Sequence, residues 1–496
     1  MTGSLFLGVD IGTSSAKGVV IDAAGVMRAQ AVRPHAMQAR SGGRREHDAE
    51  QAWWGGFATL VHDLLASDQV EAGRIAAVGC SGIGPCVLPV DASFRPLGPA
   101  ILYGVDTRAR AEIAELERRL GRDAILERCG NHLSSQSAGP KIAWLARHEP
   151  AQHATAAYFL TCQSFLVARL TGEVVIDHAT ASYFHPLYNL RARSWDLSGC
   201  EEFVSAGQLG RLAWSSEVAG RVTADAARQT GLAAGTPVIV GTADAPAEAV
   251  ASGVVADGDL MVMYGSSSFM IQMTDRVRHS EALWSAAYVF PGSYCMSAGT
   301  ATAGSLTGWV ADLLGLAGEQ RFDELARLAA ASPPGARGVL CLPYFSGERT
   351  PVHDPRVAGL LAGLTLEHDR ADIARAAIEG IAHSMGRAIG CFAEDGLEPA
   401  RLVAVGGGTR NQVWLQAVSD IAGREQLVTA GPGASQGDAQ LAAIGAGLFT
   451  DGAASTAWVR RGPRVAPDAR TRPAYSDDHR RFLRWTERAL AEAGLR

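Results

Sequence analysis

The chain has 496 residues, of which 47% are hydrophobic and 19% charged, with a formal net charge of -6. That length exceeds one core and predicts two domains, while the absence of any block of like charge excludes a nucleic-acid-binding stripe and a basic membrane-binding face. Eight cysteines without a Cys-x-x-Cys pair predict reduced, buried thiols in a cytoplasmic protein and no zinc site. No apolar run spans a bilayer, and the first residues lack the basic region of a signal peptide.

Residues 5–25, LFLGVDIGTSSAKGVVIDAAG, hold two apolar runs around the small-residue turn Gly12-Thr13-Ser14-Ser15. This is the pattern of a β-hairpin whose turn exposes backbone N–H groups able to cradle phosphate. Asp10 closes the first strand, where a carboxylate can hold hydrated Mg2+, and Lys17 opens the second. The glycine spacing fits neither a dinucleotide fingerprint nor a P-loop. Residues 260–272, LMVMYGSSSFMIQ, repeat the pattern around Gly265-Ser266-Ser267-Ser268. Two such hairpins, one near the start of each half, predict related domains closing on one nucleotide.

Between them, residues 44–66 show helical spacing, with Trp53 and Trp54 expected in the core. Residues 75–79 form a strand that leads into a loop carrying Gly84 and Pro85, placed where open α/β sheets bind ligands. Asp106 and Arg108 precede a helix; Asp106 is either its cap or, with Arg108, a pair suited to polyol hydroxyls. Residues 137–149 read as a helix, and 173–235 carry no assignable chemistry. Residues 237–240 form a buried strand, after which Asp244 opens an alanine-rich helix, either as its cap or at the position a general base requires.

The boundary between domains is expected near residue 246. Farther on, 342–364 is a long loop containing Glu348 and Arg349, and 367–392 is an amphipathic helix. A strand over 402–405 runs into Gly406-Gly407-Gly408, followed by Asn411 and another helix; three glycines permit close approach to adenine or ribose. The small-residue helix after Gly437 is expected to pack on that same loop. The tail, 475–496, reads as a charged helix.

GVDIGTSSAK, GTADAPAEAVASGVV, GSSS at 265–268 and AVGGGTRNQVW together resemble the FGGY family of carbohydrate kinases, within the superfamily of actin, heat-shock ATPases and hexokinase. The resemblance spans nearly the whole chain, with GLLAGL at 359–364 and KIAWLARH at 141–148 matching family signatures. It implies a two-domain actin-like, ribonuclease H-like α/β fold with a central cleft. It also implies ATP and Mg2+, a catalytic base at Asp244, metal contacts at Asp10 and Asp244, and a homodimer. ATP binding is implied for Asp10, Gly12, Thr13, Ser14, Ser15, Lys17, Gly265, Ser266, Ser267, Gly406, Gly407, Gly408 and Asn411, and sugar binding for Gly84, Pro85, Asp106, Arg108 and Asp244.

AILYGVDTRA, GNHLSSQSAGPKIAWL and LPYFSGERTP are similar to xylulose kinases, which implies D-xylulose as acceptor. Where those enzymes carry Met-His, this chain has Gly84-Pro85, which leaves another ketose, a polyol or a sugar acid open. An ATPase of the same superfamily without a small-molecule acceptor is the alternative of a different class.

Overall fold

The computed structural model describes residues 3–495. In the first half, β1 (Leu5–Ile11) and β2 (Ser15–Asp22) form an antiparallel hairpin, and β3 (Met27–Pro34) pairs antiparallel with β2. On the other side of β1, β4 (Ile75–Gly82) and β5 (Pro237–Ile239) add in parallel, giving the order β5-β4-β1-β2-β3.

The second half repeats this plan with β6 (Asp259–Tyr264), β7 (Ser268–Thr274), β8 (Tyr294–Thr300), β9 (Arg401–Val405) and β10 (Gln426–Ala430). Its order is β10-β9-β6-β7-β8, with the β6–β7 hairpin antiparallel and β9 parallel to β6. Both phosphate-loop candidates thus occupy the same topological position, as the repeated sequence pattern predicts.

Six helices position the site: α1 (Gly56–Leu65), α2 (Asp244–Ala251), α3 (Gly304–Leu313), α4 (Arg370–Glu394), α5 (Gln412–Ala422) and α6 (Ala434–Gly445). The first core gathers Val9, Trp53, Phe57 and Phe165; the second gathers Val262, Ile381, Trp414 and Leu415. A third cluster joins the halves, with Phe6 and Val250 packed among Met261, Val403 and Ala439.

Four sequence expectations change. Residues 44–66 are not one helix: Arg44–His47 is a strand, Ala49–Gly55 is a π-turn, and only α1 is regular. The buried strand ends at Ile239. The chain leaves the first sheet at Ala243 and enters the second at Asp259, so residue 246 lies inside α2. Finally, α6 does not pack on the triple-glycine loop. It crosses to the first sheet, where a Cβ on Gly79 would collide with the Asp438 carbonyl and a Cβ on Gly437 with that of Ala247. Glycine at both places lets backbone meet backbone across the seam.

Candidate active site

The site is organised around buried carboxylates where the two halves meet. Asp10 ends β1 and is 6% exposed, paired in register with Lys17 on β2 and Ser81 on β4. Asp244 occupies the first turn of α2, and its Oδ1 accepts the Ala245 N–H at 2.8 Å. Glu248 stands one turn farther along the same helix face, as a four-residue spacing requires. Asp438 arrives from α6 of the other half, and its Oδ1 has no hydrogen-bond partner among the described residues.

Ser81 ties the halves together, with its Oγ 3.2 Å from Asp10 Oδ1 and 2.7 Å from Asp438 Oδ2. A hydroxyl has one proton to give. With Asp438 protonated, its own proton serves one contact and the serine proton serves the other. Burial is the main reason that Asp438, Asp10 and Asp244 all hold their protons above the ordinary carboxylate range. The charge of Asp10 raises Asp244 further, while Lys17 opposes the shift on Asp10. Burial and Asp10 push Glu248 up to about 7.

The first loop, Gly12 to Ser15, is closed by Gly12 N–H donating to the Ser15 carbonyl at 2.9 Å. Two histidines brace it, with His35 Nε2 2.9 Å from the Gly12 carbonyl and His47 Nε2 3.1 Å from that of Thr13. Trp53 Nε1–H, which can only donate, points at His47 Nδ1, so Nε2 carries the proton given to Thr13. Burial holds both histidines below their usual range, His47 down to about 4. The Thr13 hydroxyl also meets the Tyr103 phenol at 3.3 Å.

The second loop rests on α3, where Ala303 N–H and Gly304 N–H donate to the carbonyls of Ser266 and Gly265. Gly265, Ser266, Gly407, Gly408 and Asn411 line one cavity of about 370 Å3, walled by Tyr264, Phe322 and Trp414. Apolar rings beside a glycine-lined floor suit a nucleoside. The Asn411 side chain itself accepts the Trp414 N–H and caps α5. Ser267 and Gly406 flank this cavity without lining it.

A second cavity, of about 60 Å3, lies between the halves and is lined by Asp244 with Gly84 and Pro85. Asp106 and Arg108 do not line it. They are buried against each other, with Arg108 also 2.7 Å from Glu46, and the helix that follows begins at Arg110 with Ala109 as its cap. The pair therefore serves the fold of the first half, where it braces the Arg45 N–H, and it is neither a cap nor part of this cavity. Glu348 likewise has a fold role, accepting from Ala301 N–H, Arg349 N–H and Ser384 Oγ to fasten its loop. A larger open depression of about 1100 Å3 on the first half holds Arg40, Arg95 and Arg169 and none of the candidate residues.

Glu248, Asp438, Ser81 and the two histidines escape a reading of the sequence. Two of them carry a signal in hindsight: Glu248 follows Asp244 by one helical turn, and Asp438 is the lone acid in a small-residue helix.

These hard oxygen donors fit Mg2+. No group of three or more His, Cys, Asp or Glu among the described residues converges into a ready cage. An ion there would be completed by phosphate oxygens and water, as Mg2+ prefers.

Duplicated hairpins over a carboxylate-lined cleft give the chain the two-halved α/β plan of the actin-like fold. Residues 5–251 match the N-terminal domain, and residues 260–446 the C-terminal domain, of the FGGY family of carbohydrate kinases. The chain is 30% identical over 455 residues to a xylulose kinase of Escherichia coli, covering 89% of this chain and 90% of that one. It is 25% identical over 438 residues to a gluconokinase of Bacillus subtilis, covering 86% and 84%. Among solved structures, xylulose kinase from Rhodospirillum rubrum superposes with a TM-score of 0.92 at 30% identity, over 99% of this chain and 100% of that one. The protein belongs to the FGGY family of carbohydrate kinases and is a sugar phosphotransferase.

Proposed function

We propose that the protein transfers the γ-phosphate of ATP to a terminal hydroxyl of a small ketose, with D-xylulose the first acceptor to test. The observation that carries this reading is the position of Asp244: it lines a cavity between the halves, within electrostatic reach of Asp10. The acceptor oxygen forms a bond to the γ-phosphorus as the bond to the β-phosphate oxygen breaks, ADP leaves with that electron pair, and Asp244 in its ionised form takes the hydroxyl proton.

The unengaged backbone N–H groups of the 12–15 and 265–268 turns hold the phosphates, Lys17 adds positive charge, and residues 406–411 seat the nucleoside. Asp10 and Asp244 would hold Mg2+, which would supply positive charge to neutralise the phosphates. The first half supplies the first loop and the second half the second loop and the nucleoside site, while the acceptor lies between them.

We place the protein in the cytoplasm, a reading supported by eight free, buried cysteines. Family resemblance supports a homodimer, which light scattering would test. No helix among the described residues is long and apolar enough to cross a membrane.

The deciding experiment is coupled ADP release with MgATP across pentuloses, hexuloses, polyols and sugar acids, each compared with no acceptor. A highest kcat/KM for D-xylulose is expected. A different winner moves the acceptor, and ADP release that no sugar stimulates would overturn the assignment of an acceptor.

A further inference from the structure

The loop that carries Glu348 and Arg349 leaves one charge unused. Glu348 turns inward, where its carboxylate accepts from Ala301 N–H, Arg349 N–H and Ser384 Oγ. Thr350 N–H donates to the Gly299 carbonyl at 2.9 Å, Gly299 N–H donates to Thr350 Oγ1 at 3.2 Å, and His353 N–H donates to the Arg349 carbonyl at 2.6 Å. The backbone of Arg349 is thus held on both sides without help from its side chain. Its half-buried guanidinium makes no hydrogen bond or ion pair with the described residues.

Where that side chain lies decides what it can do. Gly299 is next to the end of β8, and its neighbour Thr300 pairs in register with Ser268, the last residue of the second loop. The stem of Arg349 runs past this point, since a Cβ on Gly299 would stand 3.7 Å from Arg349 Cδ. Its charge reaches the Tyr103 phenol of the first half, which meets the Thr13 hydroxyl of the first loop at 3.3 Å. Burial raises the proton affinity of that phenol most; the Thr13 hydroxyl lowers it, the Asp244 charge raises it and the Arg349 charge lowers it. Cation and base therefore bear on one group at the tip of the first loop.

A guanidinium that no carboxylate pairs with, standing between two phosphate loops and within reach of the base, is complementary to an anion that arrives with the substrate. Its planar fork gives two parallel N–H donors to a phosphoryl group, whose equatorial oxygens carry the charge during transfer. We propose that Arg349 is a catalytic residue of the transfer: its guanidinium binds the oxygens of the γ-phosphoryl group while that group passes from ADP to the acceptor. No bond to Arg349 forms and it keeps its proton; it stabilises charge where charge is spread. The second half supplies this cation and the first half the base, so both act only when the halves stand over one phosphate. The proposal rests on the kinase reading of the cleft and adds a residue to it.

The test uses MgATP with D-xylulose, or with the acceptor that ranks first in the panel. In Arg349→Gln, kcat is expected to fall about a thousandfold, with the acceptor KM, the thermal midpoint and the Kd for ADP, which lacks the γ-phosphate, all unchanged. Arg349→Lys keeps the charge without the fork and is expected to recover only part of the loss. Free guanidinium, below the concentration that unfolds the protein, is expected to restore part of kcat to Arg349→Ala, which a lost structural contact would not allow. Without turnover, ADP with aluminium fluoride and acceptor, a mimic of the group in transfer, is expected to bind the parent and not Arg349→Gln, while ADP alone binds both.

A folded Arg349→Gln with kcat near that of the parent would overturn the proposal and leave the kinase reading intact. So would a loss shared equally by ADP binding and not relieved by guanidinium. A parent whose ADP release no acceptor stimulates would remove both.

Discussion

Asp244 stands in a first helical turn with two other carboxylates in electrostatic reach, so its proton affinity, raised first by burial, is raised further by those neighbours. Asp244→Asn keeps the shape and removes the base. Turnover is expected to fall by about a hundred- to ten-thousand-fold while sugar binding survives; near-wild-type kcat in single-turnover assays would take the role from Asp244. His47 acts at one remove, because its Nε2–H holds the Thr13 carbonyl and thereby the turn proposed to hold phosphate. His47→Ala is expected to raise the KM for ATP several-fold and to leave the binding constant for sugar unchanged, and His47→Gln, which can still donate to Thr13, to recover part of the loss. Equal losses for both ligands would make His47 merely structural.

The element that joins the halves is α6. It carries Asp438 to Ser81, and the close approach depends on glycines that no larger residue can replace without moving backbone. Gly79→Ala places a methyl group against the Asp438 carbonyl, and such overpacking costs about 1–3 kcal/mol. A drop in thermal midpoint of several degrees is expected, together with weaker ATP binding because the Asp10–Ser81–Asp438 chain is displaced. A variant that melts like the parent would show that the seam yields cheaply. The paired hairpins contrast with this helix: their turn residues and flanking apolar runs are local features, and both formed as their sequences predict.

Over the whole molecule, two sets of buried groups oppose each other in pH. His35, His47, His185 and His383 are held below their usual range by burial, so the unfolded chain binds more protons than the folded one and stability rises with pH up to about 6.5. Asp10, Asp244, Glu248 and Asp438 are raised, so the folded state holds the extra protons and stability falls as pH climbs through their folded values, for Glu248 about 7. The ligand-free protein is expected to melt highest near neutrality and lower at pH 8. Asp244→Asn, which removes one buried charge, should lessen the alkaline loss. A flat profile from pH 6.5 to 8, read by calorimetry, would contradict the raised carboxylates.

Legibility followed the range of the interactions. The hairpins, the acid opening α2, the triple glycine before α5 and the doubled plan were all readable, because turn chemistry, caps and strand alternation act over a few residues. The ion pair of Arg108 with Glu46 was not, since a sequence separation of 62 hides a contact that only packing creates. The destination of α6 was hidden for the same reason: small residues announce close packing without naming the partner.

By itself, then, the amino-acid order determined the family through its motifs, and the repeated hairpins and one carboxylate at a helix start through local backbone preference. Only the tertiary structure decided that Glu248 and Asp438 join Asp10 and Asp244, and that the cavity beside Asp244 is walled by Phe269, Ile271 and Trp284 from the other half. Burial in a shared cleft is a property of two surfaces brought together, and no single stretch of chain carries it.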